Sequence, residues 1–281
     1  MDWRALGIVR HLHFSEVAST NDEGRQAAVL PSYSEDFPLL ITCDRQTSGR
    51  GRSGRSWWQG EGGLAFSIVT SGRLFGLPAT ANLNQLTSQL SIWTAICLQG
   101  TAASYLPLQA CRVKWPNDLM IDNRKNAGIL IEAVPGKTSL AVVGIGVNIN
   151  NPVHSAAVLA NVEAFSWSET GGRFDLPFVV SEFLRRWLPV ANAPPTMPEL
   201  IRRYREVDWL HDRSIEVHAN GAWRSTPNGQ VEVVANSEPT ESPSIYQGKY
   251  SGLTADGFLQ LTDVKGVAWV FPSAERVRAL S

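Results

Sequence analysis

Seven consecutive residues, Gly49-Arg50-Gly51-Arg52-Ser53-Gly54-Arg55, set three guanidiniums among three glycines. Arginine's forked donors suit phosphate or carboxylate, and glycine lets backbone N–H groups approach an anion closely, so the segment is suited to close around a polyanionic ligand. Charge and glycine content also accommodate a solvated basic loop or an RNA-binding Arg-Gly tract, and the GxxxxGK[ST] spacing of a P-loop is absent. Three like charges on a glycine-rich hinge repel one another, which predicts a loop that orders when an anion arrives. Trp57 and Trp58 follow directly. Adjacent indoles are costly to leave in water, so they either cover something flat, such as a base, or anchor the loop on the core.

Three further stretches carry chemistry. Lys114-Trp115-Pro116-Asn117-Asp118 interrupts a β-like run with proline, and Lys125-Asn126-Ala127-Gly128-Ile129-Leu130-Ile131-Glu132 begins seven residues after Asp118. A carboxylate and an ammonium thus flank a hairpin, with Lys125 expected in its turn; taken alone, a turn lysine reads equally as a solvated charge. Gly144-Ile145-Gly146-Val147-Asn148-Ile149-Asn150 ends an apolar run with two glycines two apart, which points to close approach of backbone or ligand. The third glycine and following helix of a dinucleotide fingerprint are missing, so a Rossmann reading is disfavoured.

The elements that must position these groups read as a mixture of strands and helices. Alternation around Leu12 and Phe14 predicts a first strand, and Thr20 with Glu23 gives a capping-box signal for a helix toward Leu30. Strands are expected over Leu39–Cys43 and Leu64–Thr70, with the basic loop inside the Gly-rich stretch between them. Leu83, Leu86, Leu90, Trp93 and Ile96 mark one face of a long helix to about Ala103. Short β-like runs over Arg112–Lys114, Leu119–Ile121, Gly128–Val134 and Ser139–Val147 form an antiparallel meander, with Asp122-Asn123-Arg124 and Pro135-Gly136-Lys137 as turns. Helices are expected over Phe178–Leu188 and from Thr196 through Tyr204. After Asp212 only short strands remain, Ile215/Val217, Val231/Val233 and Val267–Phe271 among them, which suits a small barrel, so residues 1–211 and 212–281 are read as two domains. Ser225 to Ile245 holds Glu232, Glu238 and Glu241 without Lys or Arg, and is expected to be a mobile acidic insertion, longer than such a barrel requires.

The chain's 281 residues, 43% hydrophobic and 18% charged, exclude a peptide-sized scaffold and a disordered chain. With 25 basic against 26 acidic side chains there is no overall field to gather nucleic acid or membrane, so a polyanion must meet a local patch. Cys43, Cys97 and Cys111 form neither a CxxC pair nor a disulfide framework and read as reduced core thiols. The amino terminus lacks an apolar signal stretch and no run is long enough to span a bilayer, so a cytoplasmic protein is expected.

In this order and spacing, Ser19-Thr20-Asn21, the Gly49–Arg55 loop, Lys114–Asp118, Lys125–Glu132 and Gly144–Asn148 closely resemble the catalytic domain of biotin protein ligases. The resemblance covers about residues 8 to 190, and the small barrel after Asp212 resembles the family's terminal domain. It implies an α+β fold: a mixed or antiparallel sheet with flanking helices, of the class II synthetase and biotin ligase type, plus an SH3-like β-barrel. It also implies an ATP-dependent enzyme. Biotin and MgATP would give biotinyl-5′-adenylate and pyrophosphate, after which a lysine of a biotin carboxyl carrier protein, in acetyl-CoA carboxylase or a related carboxylase, takes the biotinyl group.

The resemblance assigns Ser19, Thr20, Asn21 and Gln46 to the biotin pocket, and Arg50, Gly51 and Arg52 to the loop that folds over the ligand. Lys125 would contact biotin carboxyl and phosphate, while Arg50, Arg52, Arg55 and Mg²⁺ would offset charge at the phosphorus. Trp57 and Asn117 would lie near adenine, Asn148 at the phosphates or metal, and Asp118 where the incoming lysine arrives. Arg52, Lys125 and Asp118 form the catalytic set, with no resident metal. Where the family loop often carries another basic residue this chain has Ser53, which implies a weaker clamp. Only about 18 residues precede Ser19, so a ligase without the winged DNA-binding domain is expected. A lipoate or octanoate ligase shares the fold, and a non-catalytic biotin or nucleotide sensor, or an RNA binder, are the readings of another class.

Overall fold

The computed structural model describes residues 1–30, 37–76, 83–107, 109–134, 137–153, 163–188, 195–225, 231–235 and 243–280. Strands are numbered here in chain order. The first sheet runs β1 (Arg10–Val17), β2 (Leu39–Gln46), β3 (Leu64–Ser71), β7 (Lys137–Val147), β6 (Arg124–Val134), β5 (Asp118–Ile121) and β4 (Cys111–Lys114). β1 and β2 are parallel, joined by a crossover through helix α1 (Thr20–Val29), and every other neighbouring pair is antiparallel. The expected mixed sheet and its four-strand meander are therefore present.

Two layers cover this sheet. Gly24, Ala27 and Ala28 give α1 a flat face, and a Cβ on Gly24 would press on Val142, Ile41 and Val69, so small residues let the helix sit close to the strands. On the opposite side α2 (Leu83–Tyr105) and α3 (Leu176–Trp187) bury Leu90, Trp93, Phe183 and Trp187, with α4 (Met197–Val207) adding Leu200 and Tyr204. Helix α4 starts as its sequence demands, the Thr196 and Glu199 side chains closing a capping box.

The second sheet is wholly antiparallel: β10 (Val231–Ala235), β9 (Gly221–Ser225), β13 (Ala268–Phe271), β12 (Leu259–Thr262), β11 (Ser244–Leu253), β8 (Ser214–Ala219) and β14 (Arg276–Ala279). This is consistent with an SH3-like barrel. Its apolar residues join the core of the first sheet, and Trp115 Nε1 donates to the Gly257 carbonyl at 3.0 Å.

Three expectations change. Thr20 does not cap α1: Ser19 is the N-cap and makes no side-chain cap, because the Thr20 hydroxyl and N–H both donate to Gln46 Oε1. Lys125 lies in strand β6 rather than in a turn, since Asp122 and Asn123, both with positive φ, complete the reversal before Arg124. Within the segment expected to be a mobile insertion, Val231 and Val233, themselves read as strand-like, lie in the edge strand β10 that pairs with β9, so the insertion is not continuous over Ser225–Ile245, while Glu238 and Glu241 lie outside the described residues. Pro135-Gly136 also lies outside them.

Candidate active site

The site is built on the α1 side of the first sheet, beyond the amino end of that helix. Alternation along β7 places Val142, Gly144 and Gly146 on one face. Val142 lies beneath the body of α1, a Cβ on Gly144 would overlap the Asn21 amide, and a Cβ on Gly146 would overlap the Trp57 indole. The two glycines are thus two seats, one for a pocket wall and one for an aromatic floor. Gly128, opposite Gly146 on β6, is 3.4 Å from the Trp57 ring by the same construction.

At the first seat the polar groups are tightly committed. Ser67 Oγ, alone among apolar neighbours on β3, lies 2.7 Å from both Thr20 Oγ1 and Asn21 Oδ1. Asn21 Nδ2 donates to Glu132 Oε2 at 2.7 Å and to the Leu130 carbonyl at 3.2 Å. Asn21 is therefore a fixed wall rather than a free amide. The groups left to meet a ligand are the buried Ser19 hydroxyl and Gln46 Nε2, neither of which has a protein partner among the described residues.

The basic loop is closed on itself, Gly51 N–H donating to the Arg55 carbonyl at 2.7 Å and Trp57 N–H to the Gly49 carbonyl at 2.8 Å. Ser53 takes a left-handed conformation with φ 55°, and Gly54 follows with φ 71°, which turns the chain. Its three guanidiniums do not converge. Arg50 donates to Asp22 at 2.7 Å and lies 3.6 Å from Glu132, while Arg25 bridges the same two carboxylates. Arg50's hydrogen bonds hold the Asp22 carboxyl below its ordinary pKa. Arg55 instead donates to the Glu275 carbonyl of the second sheet. Arg52 has its pKa lowered by burial, against which the Asp118 carboxylate acts. Of the three arginines expected to form a clamp, Arg50 and Arg55 are held by protein partners, and Arg52 is the one whose charge Asp118 offsets.

Opposite the loop, Lys125 Nζ lies 2.6 Å from Asp118 Oδ1 and 5.9 Å from the Trp57 ring centre. Lys114, paired across the β4–β5 ladder with Asp118, has its pKa lowered by burial and lies 5.1 Å over the Trp209 ring. Asn117 Nδ2 donates to the Ile129 carbonyl at 2.8 Å, which fixes the β5 entry. Asn148, buried, accepts on Oδ1 from Asn151 Nδ2 at 3.0 Å, so one lone pair remains for another partner.

Asp22, Arg25, Ser67, Glu132 and Asn126 were not singled out by sequence reasoning. Ser67 was detectable as a polar residue in an apolar strand; Glu132 and Asn126 stand inside the Lys125–Glu132 run. Asn126 is completely buried, its Nδ2 donating to the carbonyls of Asn148 (2.8 Å) and Phe165 (3.1 Å), while Oδ1 accepts from Trp167 Nε1 (3.1 Å). Each buried group left unpaired by its loss would cost about 1–3 kcal/mol. Among the described residues no group of three or more His, Cys, Asp or Glu could hold a metal ion, and no helix is long and apolar enough to cross a membrane.

A pocket wall at the start of a helix, a basic glycine loop and a lysine–carboxylate pair on one sheet face suit a domain that joins a carboxylate to a nucleotide. Residues 17–150 match the Biotin/lipoate A/B protein ligase family. Curated relatives carry the names of ligase/repressors and of biotin ligases. The chain is 31% identical over 144 residues to the bifunctional ligase/repressor BirA of Bacillus spizizenii, covering 50% of this chain and 41% of that protein. It is 36% identical over 143 residues to the Biotin--[acetyl-CoA-carboxylase] ligase of Paracoccus denitrificans, covering 50% and 55%. The matches thus span about half the length of these curated relatives. The fold is similar to that of the biotin protein ligase from Aquifex aeolicus in complex with biotin and ATP, with TM-score 0.69 at 22% identity over 96% of this chain and 99% of that one.

Proposed function

We propose that the chain is an ATP-dependent biotin ligase that makes biotinyl-5′-adenylate and transfers biotin to a lysine of a carboxylase's carrier domain. The observation that carries this reading is the Lys125–Asp118 pair beside the Trp57 floor over Gly146, on the same sheet face as the Asn21 wall over Gly144. Biotin would enter beside Ser19 and Gln46, with Thr20 and Asn21 as its fixed wall, and the nucleotide would lie toward Trp57, Asn117 and Asn148.

Adenylation brings a carboxylate to an anionic phosphate, so its barrier is largely electrostatic. Lys125 and Arg52 supply positive charge where negative charge gathers. Arg50, balanced by Asp22 and Glu132, shapes the loop over the pocket, and Arg55 ties that loop to the second sheet. Once Lys125 turns to the phosphate, Asp118 is released to accept a proton from the carrier's lysine in the second step. Mg²⁺ in nucleotide sites needs only one or two protein oxygens beside phosphate oxygens. The donor set fits an ion delivered with the nucleotide, with Asn148 Oδ1 as its protein oxygen, and such an ion would neutralise phosphate charge.

The test is incubation with ATP, an acetyl-CoA carboxylase carrier domain, and labelled biotin or lipoate. Biotin-dependent pyrophosphate release with label on the carrier's lysine supports the reading. Lipoate transfer would move the chain to the other branch of the matched family, and binding without pyrophosphate release would make it a sensor.

A further inference from the structure

Asn126 stands next to Lys125 in sequence but on the opposite side of the sheet. The β5–β6 register pairs Met120 with Lys125 and Leu119 with Ala127, which leaves Asn126 as the extra residue of a β-bulge. By strict alternation Lys125 would share the side of Ala127 and Ile129, both buried in the core. One inserted residue returns it to the side of Gly128 and Asp118, where its ammonium meets the carboxylate.

The bulge is held from within. Asn126 uses both ends of its amide, on Asn148, Phe165 and Trp167, and its carbonyl accepts from Asn148 N–H at 3.0 Å. The flanking backbone is tied to the same segment, Lys125 N–H donating to the Glu163 carbonyl at 2.8 Å and Phe165 N–H to the Lys125 carbonyl at 2.9 Å. One side chain therefore joins the residue that precedes it to the segment after β7.

We infer that Asn126 is a positioning residue for adenylation: by pinning the bulge it aims Lys125 into the cleft and fixes Asn148 relative to it. The inference rests on the ligase reading. It predicts that Asn126 acts through Lys125, so the two substitutions are not additive.

The experiment measures adenylate formation in single turnovers with biotin and MgATP for the parent, Asn126→Asp, Lys125→Ala and the double variant, with biotin affinity by calorimetry. Asn126→Asp keeps the shape and the acceptor for Trp167 and removes both donors. Its expected rate is lower on the order of 100-fold, the scale of a misplaced reacting group, with biotin affinity reduced no more than in Lys125→Ala. In the Lys125→Ala background the same change should have little further effect. If Asn126→Asp does not fold, Trp167→Phe removes one bond from the same amide and should show the same pattern at smaller amplitude. An equal loss in both backgrounds, or a normal rate in the folded single variant, overturns the inference. No adenylate from the parent chain overturns the ligase reading and the inference with it.

Discussion

Lys125 Nζ lies 2.6 Å from Asp118 Oδ1, so the ammonium and the carboxylate balance one another. Under the proposed ligase reading a single cation placed this way would have two uses in sequence: leaving Asp118 for the phosphate, it would stabilise the first step and free the carboxylate for the second.

Lys125→Ala should therefore lower adenylate formation by roughly 10²–10³, the usual effect of removing one preorganised donor. Both side chains are only partly buried, so the loss of the pair should cost the fold about 1 kcal/mol or less. Pyrophosphate release and thermal unfolding check the two halves of this prediction, and unchanged release would falsify the role given to Lys125.

Gly144→Ala places a methyl group against the Asn21 amide, which Ser67 and Glu132 prevent from turning away. Such overpacking costs about 1–3 kcal/mol. Biotin affinity should fall by roughly tenfold or more, since 1.4 kcal/mol is a factor of ten. Titration calorimetry would show it; equal affinity would mean that the wall can yield.

Arg52→Gly removes the loop arginine whose charge Asp118 offsets and leaves the Arg50 and Arg55 anchors in place. Losing a charge-assisted contact worth about 1.5–3 kcal/mol should weaken retention of the adenylate more than its synthesis. Labelling of a bystander protein with biotin should rise at equal adenylate output. No rise would show that another group retains the intermediate.

Asp208, buried beside Tyr250, has its carboxyl raised to about 6, mainly by desolvation. Between the ordinary carboxylate pKa and 6 the folded state holds the extra proton, so stability grows as pH falls from 7 toward 5 and is lost again as pH rises through 6. The contribution over that interval is about 1 kcal/mol. Asp208→Asn should abolish this component, and urea midpoints at pH 5 and 7, compared with the parent, measure it.

The parts of this fold that were legible in sequence are those written in local pattern. The meander follows from apolar runs between turn residues, and helix α4 from Thr196 with Glu199. Strands β9 and β14 escaped notice because Gly221–Ser225 and Arg276–Ala279 alternate too briefly to stand out. The site divides the same way. Glycines 144 and 146 announced a close approach, but nothing local tells that Arg50 meets Asp22, 28 positions away, or Glu132, 82 positions away. The bulge at Asn126 is hidden for another reason: it depends on the register with β5, and counting along β6 alone puts Lys125 on the wrong face.

The apolar core runs without a break from Ile8 through Trp187 to Val277, and the Ser88 hydroxyl and Trp115 indole both bond to carbonyls of the Asp256–Gly257 turn. Residues buried by both sheets lose their packing together, so the chain should melt as one cooperative unit rather than shed its small sheet first. Amide hydrogens in β11 and β12 would then exchange only through openings that also expose β4, and a ligand bound beside Lys125 would slow exchange in both sheets.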